Sequence, residues 1–100
     1  GWIMSQVDIA GSILATRRTG GRVVTVAVNN FIFKHPVFVG DVVSFYTEIT
    51  KVGHTSITID VAVYAQRGSR EGNEEICIKV TEAILTYVAV DEKRRPQAIR

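Results

Sequence analysis

The stretch GWIMSQVDIAGSILATRRTGG, residues 1–21, decides the fold. Ile3, Met4, Val7, Ala10, Ile13 and Leu14 recur at offsets of three and four, with Ala15 beside them. That spacing predicts a helix over 2–18 with one apolar face. Ile9 widens the stripe, so much of the helix is expected to be buried. Gly11 and Ser12 are small enough to admit a close neighbour. Arg17 and Arg18 suit the negative end of the helix dipole. Gly20-Gly21 is a stop signal.

After Gly21 the pattern changes to strands. Val24, Val26 and Val28 alternate with Val23, Thr25 and Ala27. Residues 31–39 read as an irregular extended stretch, because Pro36 does not suit a central paired strand. Gly40-Asp41 is a turn signal. Val43, Phe45, Thr47 and Ile49 alternate with Ser44, Tyr46, Glu48 and Thr50 in a second strand, which Gly53-His54 ends. Thr55, Ile57, Ile59, Val61 and Val63 mark a third. A polar hairpin loop is expected over 68–72. The last strand runs over 75–90, with Ile76, Ile78, Val80, Ile84 and Val88 facing away from Cys77, Thr81, Ala83, Leu85 and Tyr87. Residues 92–100 form a basic C-terminal tail. One long helix and four antiparallel β segments make an α+β domain, with the helix covering one sheet face. The open edges and the second apolar face predict a dimer at least.

At 100 residues the chain is one domain, 1–100, and 46% hydrophobic against 22% charged is globular. The longest apolar run, Val61–Ala65, is far short of the ~18 residues of a membrane span. A net charge of +2 does not argue for nucleic acid by charge alone, and the basic clusters at Arg17-Arg18 and 93–95 are either solvated surface or a site for an anionic partner. The single Cys77 excludes an internal disulfide, suits a cytoplasmic setting, and is expected to be a packed strand thiol. No metal site is expected: His35, His54 and Cys77 lack ligand spacing.

Asp8 is the odd residue, a carboxylate in the second turn of an apolar helix. It either faces water beside Ser5, Ser12 and Arg17, favours the positive end of the dipole, or is held for chemistry. The stretch Lys51-Val-Gly-His-Thr-Ser56 is either a plain β-turn or a turn whose N–H groups and hydroxyls hold a phosphate, with Gly53 allowing close approach.

Residues 1–15, 22–26, 33–37, 39–43, 51–56 and 81–91 together resemble hotdog-fold acyl-CoA thioesterases, most closely the bacterial YciA-like hydrolases. The resemblance implies a hotdog fold, in which a five- or six-stranded antiparallel sheet wraps a central helix. It implies hydrolysis of acyl-CoA to a free fatty acid and CoA, with Asp8 as general base or nucleophile and backbone N–H groups near Gly1 and Trp2 holding the thioester oxygen. Gly53, His54, Thr55 and Ser56 fall on the family's CoA-contacting turn, and Arg94 and Arg95 are candidate phosphate ligands. CoA belongs to substrate and product, and no separate cofactor is implied. The implied assembly is a homodimer built into a trimer of dimers. The family's first strand and its Asn-x-x-Gly loop are expected to be absent here, since only Gly1-Trp2 of that loop's end is present. A non-catalytic acyl-CoA-binding domain and a hotdog hydratase or dehydratase are the alternatives. The hydratase chemistry usually brings a helix His, and neither His35 nor His54 lies on the helix.

Overall fold

A computed structural model describes residues 1–68 and 75–100. The helix α1 spans Trp2–Thr19, and the strands are β1 Arg22–Phe33, β2 Val42–Val52, β3 Ser56–Gly68 and β4 Glu75–Val90. They form one antiparallel sheet in the order β1-β4-β3-β2. The hairpin loop expected over 68–72 lies outside the described residues beyond Gly68. Gly20 stops α1 in the left-handed region at φ 74°, its N–H donating to the Thr16 carbonyl at 2.8 Å.

The core lies between α1 and the sheet. Ile57, Ile59, Val61, Val63 and Ala65 of β3 meet Val80, Ala83, Leu85 and Tyr87 of β4, all without exposed area. From the helix only Ile3, Val7, Gly11 and Ala15 are buried, one residue per turn. This corrects the expectation of a widely buried helix, since Ile9 and Ile13 are each 51% exposed. Four strands cover one side of α1 and leave its other side bare.

β3 alternates as the sequence predicts. β1 and β4 do not, because bulges reset their phase. Thr25 lies opposite Tyr87, but Ala27 lies opposite Thr86, so Val26 is an extra residue. Val28 therefore joins Val23 and Thr25 on the helix side, while Val24 turns outward. In β4, Thr81 lies opposite Val63 but Lys79 opposite Tyr64, which makes Val80 the extra residue. Ile78 and Val80 thus share the core side with Ala83, Leu85 and Tyr87, and Ile84 and Val88 face outward. β1 also runs further than predicted, to Phe33, through a second irregularity between Asn29 and Ile32, where Asn30 has φ 53°. Cys77 is exposed, not packed, because it pairs with Gln66 on the outer sheet face.

The segment after β1 is pinned at both ends. The N–H of Lys34 donates to the Val80 carbonyl at 2.8 Å. Asp41, with 3% of its side chain exposed, meets Arg67 of β3 at 2.9 Å. The same guanidinium lies 4.6 Å from the Phe38 ring centroid, a cation–π contact.

Candidate active site

Asp8 sits half-buried in the second turn of α1, beyond the first turn where the dipole acts most strongly. It does not simply face water. Its Oδ1 accepts a hydrogen bond from Thr25 Oγ1 at 2.8 Å. Tyr87 Oη lies 3.1 Å from the same oxygen and 2.9 Å from the Asp8 carbonyl oxygen, so one phenolic proton is shared between the two. Among the described residues nothing donates to Oδ2. Thr25 and Tyr87 are register partners on β1 and β4, so both reach the helix from the same sheet face. Burial above all, then the Asp8 charge and the hydrogen bond to it, push the Tyr87 phenol above its ordinary pKa. Tyr87 therefore remains a donor through the neutral range.

Sequence reasoning missed Tyr87 and Thr25 as site residues. The available signal was Gly11, whose smallness suggested a close neighbour. That neighbour is Tyr87: a Cβ on Gly11 would overlap the phenolic oxygen and lie 3.1 Å from Cζ.

Gly1 caps the other end of the helix, its carbonyl accepting from the Ser5 N–H at 3.2 Å with no side-chain cap. The N–H groups of the first turn have no intrahelical acceptor. Gly1, Trp2, Ile3 and Met4 border an open apolar cavity of about 580 Å³, lined on its other side by Phe31, Phe33 and residues 36–39. Asp8 stands seven residues further on, about 10 Å along the axis. One chain therefore does not bring Asp8 and the Gly1-Trp2 donors onto the same carbonyl.

The 53–56 turn joins β2 to β3. Its Gly53 N–H donates to the Ser56 carbonyl at 2.7 Å, and the space beside Gly53 holds the Ser56 hydroxyl, 2.8 Å from where a Cβ would stand. The Gly53 N–H is thus engaged within the turn and is not a free donor. The carbonyls of His54 and Thr55 accept from Ile99 and Ala89, each at 2.8 Å.

Residues 92–100 are not a loose tail. Asp91 Oδ1 accepts from the N–H groups of Lys93 and Arg95 at 2.8 and 2.9 Å, and Oδ2 pairs with Arg95 Nε at 3.2 Å. The Arg95 N–H above all, with that of Lys93 and the guanidinium, holds the Asp91 carboxyl below the usual carboxylate range. Gln97 then donates to Ala89, and Arg18 Nη1 to the Arg100 carbonyl at 2.7 Å. Arg95 is therefore engaged. Arg94, held at φ 62°, borders a groove of about 620 Å³ with Ser12, Thr16 and Arg22. Ser12 and Thr16 follow Asp8 at i+4 and i+8, so the groove lies along the Asp8 face of the helix. Arg22 is a second cation there that sequence reasoning did not single out.

A long helix cradled by an antiparallel sheet, with a tethered carboxylate facing β1, has the form of a hotdog domain. The Thioesterase superfamily model matches residues 1–71, and the chain belongs to that family. It is 50% identical to an uncharacterized acyl-CoA thioester hydrolase of Buchnera aphidicola over 99% of this chain and 73% of that one. It is 44% identical to the acyl-CoA thioester hydrolase YciA of Escherichia coli, over 99% of this chain and 74% of that one. The crystal structure of a hexameric hotdog fold thioesterase of Campylobacter jejuni superposes with a TM-score of 0.94 at 44% identity, covering all of this chain and 74% of the other. The fold is thus a hotdog, as the sequence resemblance implied.

Proposed function

We propose that this chain hydrolyses acyl-CoA to a free fatty acid and CoA, with Asp8 as the reacting carboxylate. The observation that carries the reading is the anchoring of Asp8 by one oxygen, Oδ1, with no donor to Oδ2 among the described residues. The chain's likeness to proteins named as acyl-CoA thioester hydrolases supports it. Oδ2 either removes a proton from the attacking water or attacks the thioester carbon itself. In the second route the C–S bond breaks, CoA thiol leaves with a proton, and water opens the resulting anhydride. Neither route asks for a metal or prosthetic group.

The acting unit is two copies. The separation of about 10 Å between Asp8 and the Gly1-Trp2 donors is bridged when one protomer supplies Asp8 and its partner the helix N-terminus. The bare Ile9 and Ile13 and the open β1 edge suit that contact. The hexameric neighbour supports three such dimers together. The acyl chain then enters the apolar cavity at one helix start, and the nucleotide follows the groove toward Arg22 and Arg94. Arg94 outranks Arg95 as a phosphate ligand, since Arg95 is tied to Asp91. The 53–56 turn retains Thr55 and Ser56 hydroxyls and the exposed His54 for CoA. Cys77, as a lone exposed thiol, suits the cytoplasm.

The test is steady-state hydrolysis of an acyl-CoA series of increasing chain length by the parent and Asp8→Asn. Turnover in the parent and its loss in the variant, with CoA binding retained, is the expected result. Equal rates would remove Asp8 from the chemistry. No turnover by the parent on any chain length would favour the acyl-CoA-binding alternative.

A further inference from the structure

We infer that Tyr87 and Thr25 are positioning residues for this hydrolysis, holding Asp8 by Oδ1 so that Oδ2 is the oxygen that reacts. The inference rests on the reading of Asp8 as the reacting carboxylate. An aspartate side chain has two rotatable bonds, and on a half-buried helix face neither is fixed by packing alone. Here Thr25 donates to Oδ1 at 2.8 Å, and Tyr87 reaches it at 3.1 Å. Tyr87 also measures its position against the helix backbone, at 2.9 Å from the Asp8 carbonyl oxygen. The phenol therefore references the carboxylate to the main chain. Its ring has no freedom of its own, being fully buried between β1 and β3 and pressed against Gly11.

The division of labour between the two oxygens follows. Lone pairs engaged by two hydroxyls are less able to accept a proton or attack a carbonyl. Those of Oδ2 are not engaged by any described residue. Fixing the torsion also holds Oδ2 at one bearing, and a displacement of about 1 Å at a reacting group costs on the order of 10²-fold in rate. The arrangement uses neutral donors. Tyr87 remains protonated because burial and the facing carboxylate oppose its ionisation. The pair thus orients the carboxylate without adding a countercharge.

The experiment compares Tyr87→Phe, Thr25→Val, Thr25→Ser and the double Tyr87→Phe/Thr25→Val on one acyl-CoA, with Asp8→Asn as reference. Each single loss of a hydroxyl is expected to lower kcat roughly tenfold, and both together about 10²-fold, with KM within about twofold of the parent. Thr25→Ser keeps the donor and is expected to restore kcat to near the parent value. A merely structural role predicts the opposite pattern, with Thr25→Ser as poor as Thr25→Val, or with KM rising while kcat holds. Either result overturns the inference. So does full activity in the double variant while Asp8→Asn is inactive, and that outcome leaves the reading of Asp8 standing. Full activity in Asp8→Asn removes the reading itself. Should Tyr87→Phe fail to fold, the Thr25 series decides alone, with each variant first shown by light scattering to keep the parent's oligomeric size, because Thr25 lies on the edge strand β1.

Discussion

Substituting Gly11 by Ala isolates the contact on which the site is built. In an open helix position the change would stabilise, by about 1 kcal/mol of intrinsic propensity. Here the added methyl meets Tyr87, overlapping its oxygen and standing 3.1 and 3.2 Å from Cζ and Cε2. Overpacking of this kind costs about 1–3 kcal/mol. If the ring withdraws, its hydrogen bond to the Asp8 carboxylate is lost as well, about 1.5–3 kcal/mol for a charged acceptor. The balance is a net destabilisation of about 3 kcal/mol, or roughly 15 °C in Tm for a domain of this size. Thermal unfolding should be followed at one fixed protomer concentration, because association raises Tm. Gly21→Ala is the control, with nothing within 4 Å of its added carbon and no positive φ, and is expected to leave Tm nearly unchanged. Combining Gly11→Ala with Tyr87→Phe removes the overlapping oxygen, so the double variant should lose less than the two single losses added together. A Gly11→Ala protein with parental Tm and parental kcat would show that Tyr87 does not rest on the helix at this point.

Four further outcomes can be checked. Asp41→Ala leaves the largely buried Arg67 without its anion and should cost about 2 kcal/mol, less than the 3–5 of a fully buried pair, read from denaturant midpoints. Asp60 has its carboxyl pKa raised, by burial first and then by Glu82 and Glu48. Folding therefore loses stability as pH rises from its ordinary value, 3.8, through the raised one; Asp60→Asn should raise Tm at pH 7, with the gain vanishing as pH falls below that ordinary value. Arg94→Ala should raise KM for acyl-CoA several-fold and Arg95→Ala little, and added salt should raise the parental KM, since exposed charges are screened within about 8 Å at physiological ionic strength. Hydroxylamine added during turnover should trap an Asp8 hydroxamate or an acyl hydroxamate, detected by mass, if the anhydride route operates, and single turnover in ¹⁸O-water labels the Asp8 carboxylate only where water opens the anhydride at Asp8 Cγ; neither product forms if Asp8 acts only as a base.

The helix was legible because its signals are local: the apolar spacing, the late arginines and Gly20. So was β3, where period-two alternation runs unbroken from Ile57 to Ala65. β1 and β4 were legible as strands but not in phase, because Val26 and Val80 look like ordinary strand residues and only the opposing strand reveals them as extra. Asp8 announced itself as a carboxylate in an apolar stretch. Its two donors did not, since a Tyr and a Thr in strands are common and their meeting depends on a register set by long-range pairing. The Asp91–Arg95 tie has a local signature, an acid followed at two and four residues by amides it can accept from. The anchoring of His54 by Ile99 had none.

The Asp41–Arg67 tie gives the molecule a division between chemistry and selection. It fixes the loop over 36–39, which walls the apolar cavity, and it stands on β2's approach and the far end of β3, away from Thr25 and Tyr87. With the acyl chain in that cavity, as proposed above, the residues that set its admitted length are separate from those that hold the carboxylate. A lineage can exchange Phe38 or Val39, or loosen the tie itself, and change which acids it releases while the hydrolytic step is inherited intact. Substrate range in such an enzyme is an adjustable trait resting on an unadjusted reaction.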